Sequence, residues 1–365
     1  MSPVVTESKF PLSVVVLAAG QGTRMKSNLP KVLHTIAGLP LVEHVIKDAL
    51  ELNASDIHVV FGHGGKQVKQ ALSSYDLSWA EQAEQLGTGH AVEQALPPIP
   101  DDHLVLLLYG DVPLITVETL QQLINVSVLK NGDDALALLT ARLDDPTGYG
   151  RIVRDGEDNS GNVQAIVEQK DASEEQLSID EINTGMLAVK ADLLKKWIGK
   201  LDNNNAQGEF YLTDIVGMAA ADGVAITSAN PAEICEIEGV NNKRQLADLE
   251  RAFQLRQARQ LMEDGLTLRD PTRFDLRGEL IIGRDVEIDI NAVIEGRVEL
   301  ADVLIIGPNV VLKNVRIGSG TRVDANCVLE ESVVGENCAI GPFALLRPRT
   351  TSANEVKVGN FVETQ

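Results

Sequence analysis

From Leu280 onward an aliphatic residue returns every six positions, at Ile282, Ile288, Ile294, Leu300, Ile306 and Leu312. The series restarts one residue early as Ile317, Val323 and Leu329, and again as Val334, Ile340 and Leu346. Glycine follows at 283, 307, 318, 335 and 341. An α-helix repeats at 3.6 residues and a half-buried strand at two, so neither alone produces this spacing. A β-sandwich would require alternation and hairpin turns, which are not seen. Hexapeptide repeats winding into a parallel β-helix do fit, with about eighteen residues in each triangular coil and roughly four coils in all. A last coil without a cap would leave its strand edges open to trimer contacts or aggregation.

The chain before this repeat follows another rule. From Leu12 to about Val240, short aliphatic runs alternate with amphipathic stretches, the signature of an α/β domain with a largely parallel sheet. Strands are expected at 13–18, 57–61, 104–109, 135–141 and, as a short one, 186–189. Helices are expected at 41–52, 66–72, 88–96 and 117–126. Residues 1–10 read as a polar tail. Residues 243–264 read as one long helix, with Leu246, Leu249, Phe253, Ala258, Leu261 and Met262 as its apolar stripe and Gly265 as its stop. The predicted domains are therefore 1–240, a helical arm at 241–265, and the β-helix at 266–365.

The glycine-bearing loops of the first domain carry the chemistry. Leu17 to Lys31 reads LAAGQGTRMKSNLPK, a buried strand opening into a loop of little bulk with Arg24, Lys26 and Lys31 around it. Backbone N–H groups of residues 19–23 can there approach a phosphate closely. The spacing matches neither GxGxxG nor Walker A. The strand at 104–109 ends in Gly110 and Asp111, where open α/β sheets bind ligands and a carboxylate can hold a metal. Asp111 can equally form a turn or cap the next helix. In QAEQLGTGH, Gln82 can pair with a base edge while Gly87 and Thr88 let a planar group approach, although Thr88 can also be a plain helix cap. Gly150, Glu168 and Asn183 fall at element ends and suit sugar hydroxyls, or are ordinary turn residues.

Charge limits the choice of partners. With 53 acidic and 32 basic residues the formal net charge is −21. Nucleic acid and anionic membranes are poor partners for such a chain, and an anionic substrate needs a local basic loop, backbone N–H groups or a divalent metal. The apolar run after Pro11 is not read as a signal peptide, because cleavage there would remove the strand and its loop. No other run approaches a membrane span. The three cysteines, Cys235, Cys327 and Cys338, show no paired spacing, which suggests a reducing cytoplasm.

Taken in order, LAAGQGTRMKSNLPK, QLGTGHA, YGDVPL, DPTGYGRI, EINTG, EGVNN, the arm and coils ending in GPFALLRP and VGNFVE resemble the bacterial bifunctional N-acetylglucosamine-1-phosphate uridyltransferase / glucosamine-1-phosphate acetyltransferase family. The resemblance covers nearly the whole chain. It implies a Rossmann-like nucleotidyltransferase domain, a helical arm and an incomplete left-handed β-helix. It also implies UMP transfer from UTP to N-acetylglucosamine 1-phosphate with Mg²⁺, in a cytoplasmic homotrimer. By that resemblance Leu17, Ala18, Ala19, Gly20, Gln82, Gly87 and Thr88 hold the nucleotide. Arg24 and Lys31 face the phosphates as the catalytic cations, and Tyr109 and Gly110 line the site. Asp111 and Asn241 hold the metal, and Gly150, Glu168, Asn183 and Thr213 bind the amino sugar. Arg347 matches a sugar-phosphate residue of the second activity, whereas Gln365 stands where the family pattern has lysine. By the same resemblance the catalytic histidine of acetyl transfer belongs to further coils, and all six histidines here lie at or before position 103, so acetyl transfer is not expected of this polypeptide. Two other readings remain at this point: a non-catalytic nucleotide-sugar binding or scaffold protein, and a hexapeptide acyltransferase.

Overall fold

The computed structural model describes residues 10–62, 64–129, 132, 134–156 and 159–364. Nine residues of the expected polar tail, and Gln365, lie outside them. The chain divides into two compact units, Met1–His34 with Pro40–Gln245, and Thr35–Leu39 with Leu246–Gln365. Among the described residues no helix is long and apolar enough to cross a membrane.

The first unit is organised by β1 (Leu12–Ala18), seven consecutive buried residues. A run without alternation suits a strand covered on both faces. Around it stand α1 (Leu41–Glu51), β2 (Asp56–Phe61), α2 (Gly65–Ala71), β3 (Ser78–Glu81), α3 (Thr88–Ala95), β4 (Leu104–Tyr109) and α4 (Val117–Val126). The unit continues through β5 (Ala135–Arg142), β6 (Arg151–Arg154), β7 (Val163–Val167), β8 (Glu181–Lys190), α5 (Ala191–Ile198), α6 (Asp214–Ala221) and β9 (Ala225–Ala229). Val14, Val16 and Ala18 pack on one face with α1 and α4, while Val15, Leu17 and Ala19 pack on the other with α3, α5 and α6. Ser13 interrupts the apolar run at no cost in lost hydrogen bonds, because its Oγ lies 2.7 Å from His103 Nδ1.

Among the described residues the main sheet runs β9-β5-β8-β4-β1-β2-β3, with β6 pairing β8 and β7 pairing β6. β1 is parallel to β2 and β4, and β2 is parallel to β3. β8 departs from the expected parallel pattern and is antiparallel to both β4 and β5. It is also ten residues long, not the short strand 186–189. Its pairing with β5 shifts register between Asn183 and Leu187, and the polar residues before the shift conceal the strand from a search for apolar runs. β3, β6, β7 and β9 were missed for a related reason, since each is short or half-exposed.

In the second unit eleven of the twelve in-phase aliphatics, Ile288 to Leu346, are at most 2% exposed, and Ile282 is half-buried. Equivalent residues stack in parallel register: Ile294 on Leu312, Leu312 on Leu329, and Leu329 on Leu346. Leu300 likewise pairs with Ile317, Ile317 with Val334, and Ile306 with Val323. The two one-residue slips therefore shorten individual coils without moving a core residue off the axis. Corners turn through left-handed residues, among them Asn291, Asn309 and Asn326, whose side chains form a ladder at 2.9 and 3.1 Å. Farther along the repeat, Phe343 and Phe361 stack face to face at 5.1 Å. These features make a left-handed parallel β-helix.

The long helix, α7 (Lys243–Glu263), ends as expected. Leu266 N–H donates to the Leu261 carbonyl and Gly265 N–H to that of Met262, with Gly265 at a φ of +108°. Its apolar stripe is less buried than its spacing implies. Leu249 and Ala258 are buried, but Met262 is exposed. The third buried side chain is Gln254, whose amide exchanges two hydrogen bonds with the Leu276 backbone at 2.7 and 2.9 Å.

Because the β-helix core has no neighbour that can collapse onto the axis, Ile306→Ala should cost about 2–5 kcal/mol. Ile305→Ala, on the exposed side of the same strand, should stay within about 0.5 kcal/mol. Chemical denaturation followed by circular dichroism distinguishes the two.

Candidate active site

The carboxyl ends of β1 and β4 open onto a cavity of about 370 Å³. Leu17, Ala18, Ala19 and Gly20 form one wall, Gln82, Gly87 and Thr88 another, and Lys31, Tyr109 and Asp111 lie along its rim. All were expected at a site from the sequence. After Gly20 the chain turns through left-handed Gly22 and a short 3-10 turn, Thr23–Met25. The N–H groups of Gly20 to Thr23 donate to no backbone acceptor among the described residues, which leaves them available to an anion.

The QLGTGH loop is held by backbone contacts. Phe210 N–H donates to Leu86 at 2.8 Å and Gly89 N–H to Phe210 at 2.9 Å. A Cβ at Gly87, whose φ is +113°, would lie 2.6 Å from the Phe210 carbonyl oxygen, so only glycine fits. Thr88 is not the helix cap allowed above; its hydroxyl accepts from Leu212 N–H, and Gly87 occupies the cap position. Gln82 is buried, and its carboxamide nitrogen is already engaged by the Gly87 carbonyl and His90. A paired contact with a base edge therefore requires that nitrogen to change partners. The lining also includes Gln85 and Glu209, which sequence reasoning missed. Gln85 donates to the Ala19 carbonyl.

Asp111 does not cap α4, since Thr116 performs that role by accepting from Thr119 N–H. Its carboxylate forms an ion pair with Lys31 Nζ, and the two side chains are only 16% and 13% exposed. Lys31 Nζ also donates to Asn241 Oδ1 at 3.2 Å, and Arg24 donates to that same oxygen at 2.9 Å. The Val240 N–H bond to the Asp111 carbonyl, 2.9 Å, holds the two segments together. One carboxylate oxygen and one amide oxygen thus converge on a single ammonium. Two hard oxygens around one positive centre are a donor set that suits a divalent cation completed by water and phosphate oxygens. Among the described residues no three His, Cys, Asp or Glu side chains cluster as a metal cage.

A second, smaller cavity of about 80 Å³ shares Thr88 and Tyr109 with the first. Glu168, Asn183, Gly185 and Thr213 line it. Thr213 donates to Glu168 Oε1 at 3.0 Å, and Asn183 N–H donates to the Gly150 carbonyl at 2.9 Å. A Cβ at Gly150 would lie 2.9 Å from Ile166 Cγ2 and 3.5 Å from both Glu168 carboxylate oxygens, so the turn passes close to that carboxylate. Burial pushes the Glu168 carboxyl up, and Asp171 and Asp214 add to this against the lowering effect of the Thr213 bond. Burial and the Asp111 and Glu168 charges raise the Tyr109 phenol as well, so it stays a neutral donor. Gly185, with φ at +88°, lies so close to the Tyr109 ring that a Cβ there would sit 2.6 Å from it. Arg347 belongs to the other unit, where it is exposed and paired with Glu363.

Residues 14–156 match the MobA-like NTP transferase domain family, and residues 276–364 match the GMPPB C-terminal domain family. The bifunctional protein GlmU of Acinetobacter baylyi is 56% identical over 97% of this chain and 76% of its own length. That of Marinobacter nauticus is 54% identical over 97% of this chain and 77% of its own length. The crystal structure of a UDP-glucose pyrophosphorylase complexed with UDP-glucose superimposes with a TM-score of 0.54 at 15% identity, covering 67% of this chain and 98% of that one. At that identity the likeness concerns the fold alone.

Proposed function

The chain belongs to the family of bifunctional GlmU proteins, and from that premise we propose that its first unit transfers UMP from UTP to N-acetylglucosamine 1-phosphate, giving UDP-N-acetylglucosamine and pyrophosphate. The observation that carries this reading is the junction of the two cavities at Thr88 and Tyr109, beside the cluster of Lys31, Asp111 and Asn241. A nucleotide in the larger cavity and a sugar in the smaller one bring a sugar phosphate and an α-phosphate together there.

The sugar phosphate oxygen attacks the α-phosphorus in line, and pyrophosphate leaves. The nucleophile is already anionic, so positioning and charge neutralisation do most of the work. In this reading Leu17 to Gly20, Gln82, Gly87 and Thr88 hold the nucleoside, Arg24 and Lys31 balance charge on the leaving group, and Tyr109 and Gly110 shape the junction. Gly150, Glu168, Asn183 and Thr213 receive the sugar. Asp111 and Asn241 would hold Mg²⁺, which when bound neutralises phosphate charge and orients the transferred group. Lys31 donates to both of those oxygens at the rim of the larger cavity, within reach of a bound phosphate. The local cations offset the repulsion an acidic chain otherwise presents to nucleotide anions.

Pyrophosphate release from UTP and N-acetylglucosamine 1-phosphate should require Mg²⁺, stop with excess chelator, and fall by about 10²-fold or more in Asp111→Ala without loss of fold. Activity near the wild-type level in that variant would remove Asp111 from the metal site. Sugar binding should weaken as pH falls. Glu168 has a raised pKa, so it loses its negative charge at a higher pH than an ordinary glutamate. The acid limb in kcat/KM for the sugar phosphate should therefore shift when Glu168→Gln is compared with wild type, while the profile for UTP stays in place. We further propose a cytoplasmic homotrimer assembled through the β-helix; sedimentation equilibrium of the chain should return three times its monomer mass, and a monomer at micromolar concentration would exclude that assembly.

A further inference from the structure

Arg151 is only 2% exposed, yet among the described residues no carboxylate forms an ion pair with it. Asp145 feels its charge only at longer range. Its partners are neutral: Nη1 donates to the Tyr149 carbonyl, Nη2 donates to Gln169 Oε1 at 3.0 Å, and Nε is buried without a partner. A buried guanidinium in such company is expensive, and a well-packed apolar side chain would serve stability better. What the arrangement does achieve is geometric. Gln169 Oε1 also accepts from Gly148 N–H at 2.9 Å, so one oxygen ties the 146–150 turn both to Arg151 and to the residue after Glu168. Gly150 and Glu168, whose groups meet beside the smaller cavity, sit on the two segments this clamp joins. Neither Arg151 nor Gln169 lines that cavity.

We propose that Arg151 and Gln169 are positioning residues for the sugar phosphate, fixing the Gly148–Gly150 turn against Glu168 from behind the pocket. The inference rests on the reading of the smaller cavity as the sugar site. The Gly150 carbonyl is tied to β8 by Asn183 N–H, but Gly148 and Tyr149 pair with no strand among the described residues and Gly148 N–H is held by Gln169, whereas the wall at Leu17–Gly20 is anchored in β1. Loosening the clamp should therefore affect one substrate and not the other.

The test is steady-state pyrophosphate release by the full chain, varying each substrate in turn, with melting temperatures recorded for every protein. Gln169→Leu removes the shared acceptor and should raise KM for N-acetylglucosamine 1-phosphate about tenfold, leaving KM for UTP within about twofold. Arg151→Lys, which keeps the charge but has no second arm, should behave the same way. Gln169→Glu retains an oxygen for both donors and should stay within about threefold of wild type for both substrates. Equal rises in the two KM values, or no change in a folded Gln169→Leu protein, would overturn the inference while leaving the transferase reading intact. If Arg151→Lys fails to fold, the Gln169 pair decides alone. A folded wild-type protein with no turnover would instead remove the transferase reading and this inference with it.

Discussion

β1 is enclosed on both faces by packed side chains and on both edges by β2 and β4. A strand without a free face or edge can present the chain to solvent only at its end. The larger cavity opens there, because the backbone leaves the sheet at Ala19 and turns before it pairs again. The turn exposes N–H groups that no sheet neighbour satisfies, and the parallel strand β4 delivers Asp111 to the same edge. The site is thus a consequence of burial: the more complete the core, the fewer places remain where polar backbone can meet a ligand.

The charge distribution follows the same logic at shorter range. A chain with a net charge of −21 repels anions at a distance. Lys31 and Arg24 do not correct this by forming a large basic surface. They bind directly to Asp111 and Asn241, inside a partly dehydrated cluster where a few ångströms matter more than total charge. The ammonium of Lys31 pairs with the half-buried carboxylate of Asp111 at the cavity rim, so charge there is balanced by the protein's own side chains.

What the sequence could reveal depended on whether a structural cause left a periodic or a compositional trace. The β-helix did, since each core position recurs at six residues and both slips at 312–317 and 329–334 could be read directly. β1 and β4 did, as unbroken apolar runs, and the glycine loops did through their lack of bulk. Residues whose role is a single hydrogen bond left no such trace. Gln254 reads as a polar position on a helix, and only the fold shows it satisfying Leu276. Gln85 and Glu209 come to the larger cavity from separate loops, and the antiparallel direction of β8 is set by tertiary pairing that no local pattern encodes. Thr88 was readable as a cap because threonine often is one, and the fold instead spends its hydroxyl on Leu212.

The two cavities differ in what holds them. The larger one is built on the end of a fully buried strand, so displacing its wall means disturbing both cores of the unit. The smaller one takes Ile166 and Glu168 from the end of β7 and Asn183, Gly185 and Leu187 from β8 around its register shift, beside Tyr109 of β4 and Leu138 of β5. Its precision comes from individual bonds: Thr213 hydroxyl to Glu168, Asn183 backbone N–H to the Gly150 carbonyl, and Arg151 guanidinium to Gln169. Each such bond contributes about 1 kcal/mol net and is individually replaceable. On the proposed reading, a site assembled in this way changes which sugar it admits through one or two substitutions while the larger cavity stays fixed by the core, so selectivity falls to these individual bonds and the phosphoryl chemistry to the end of β1.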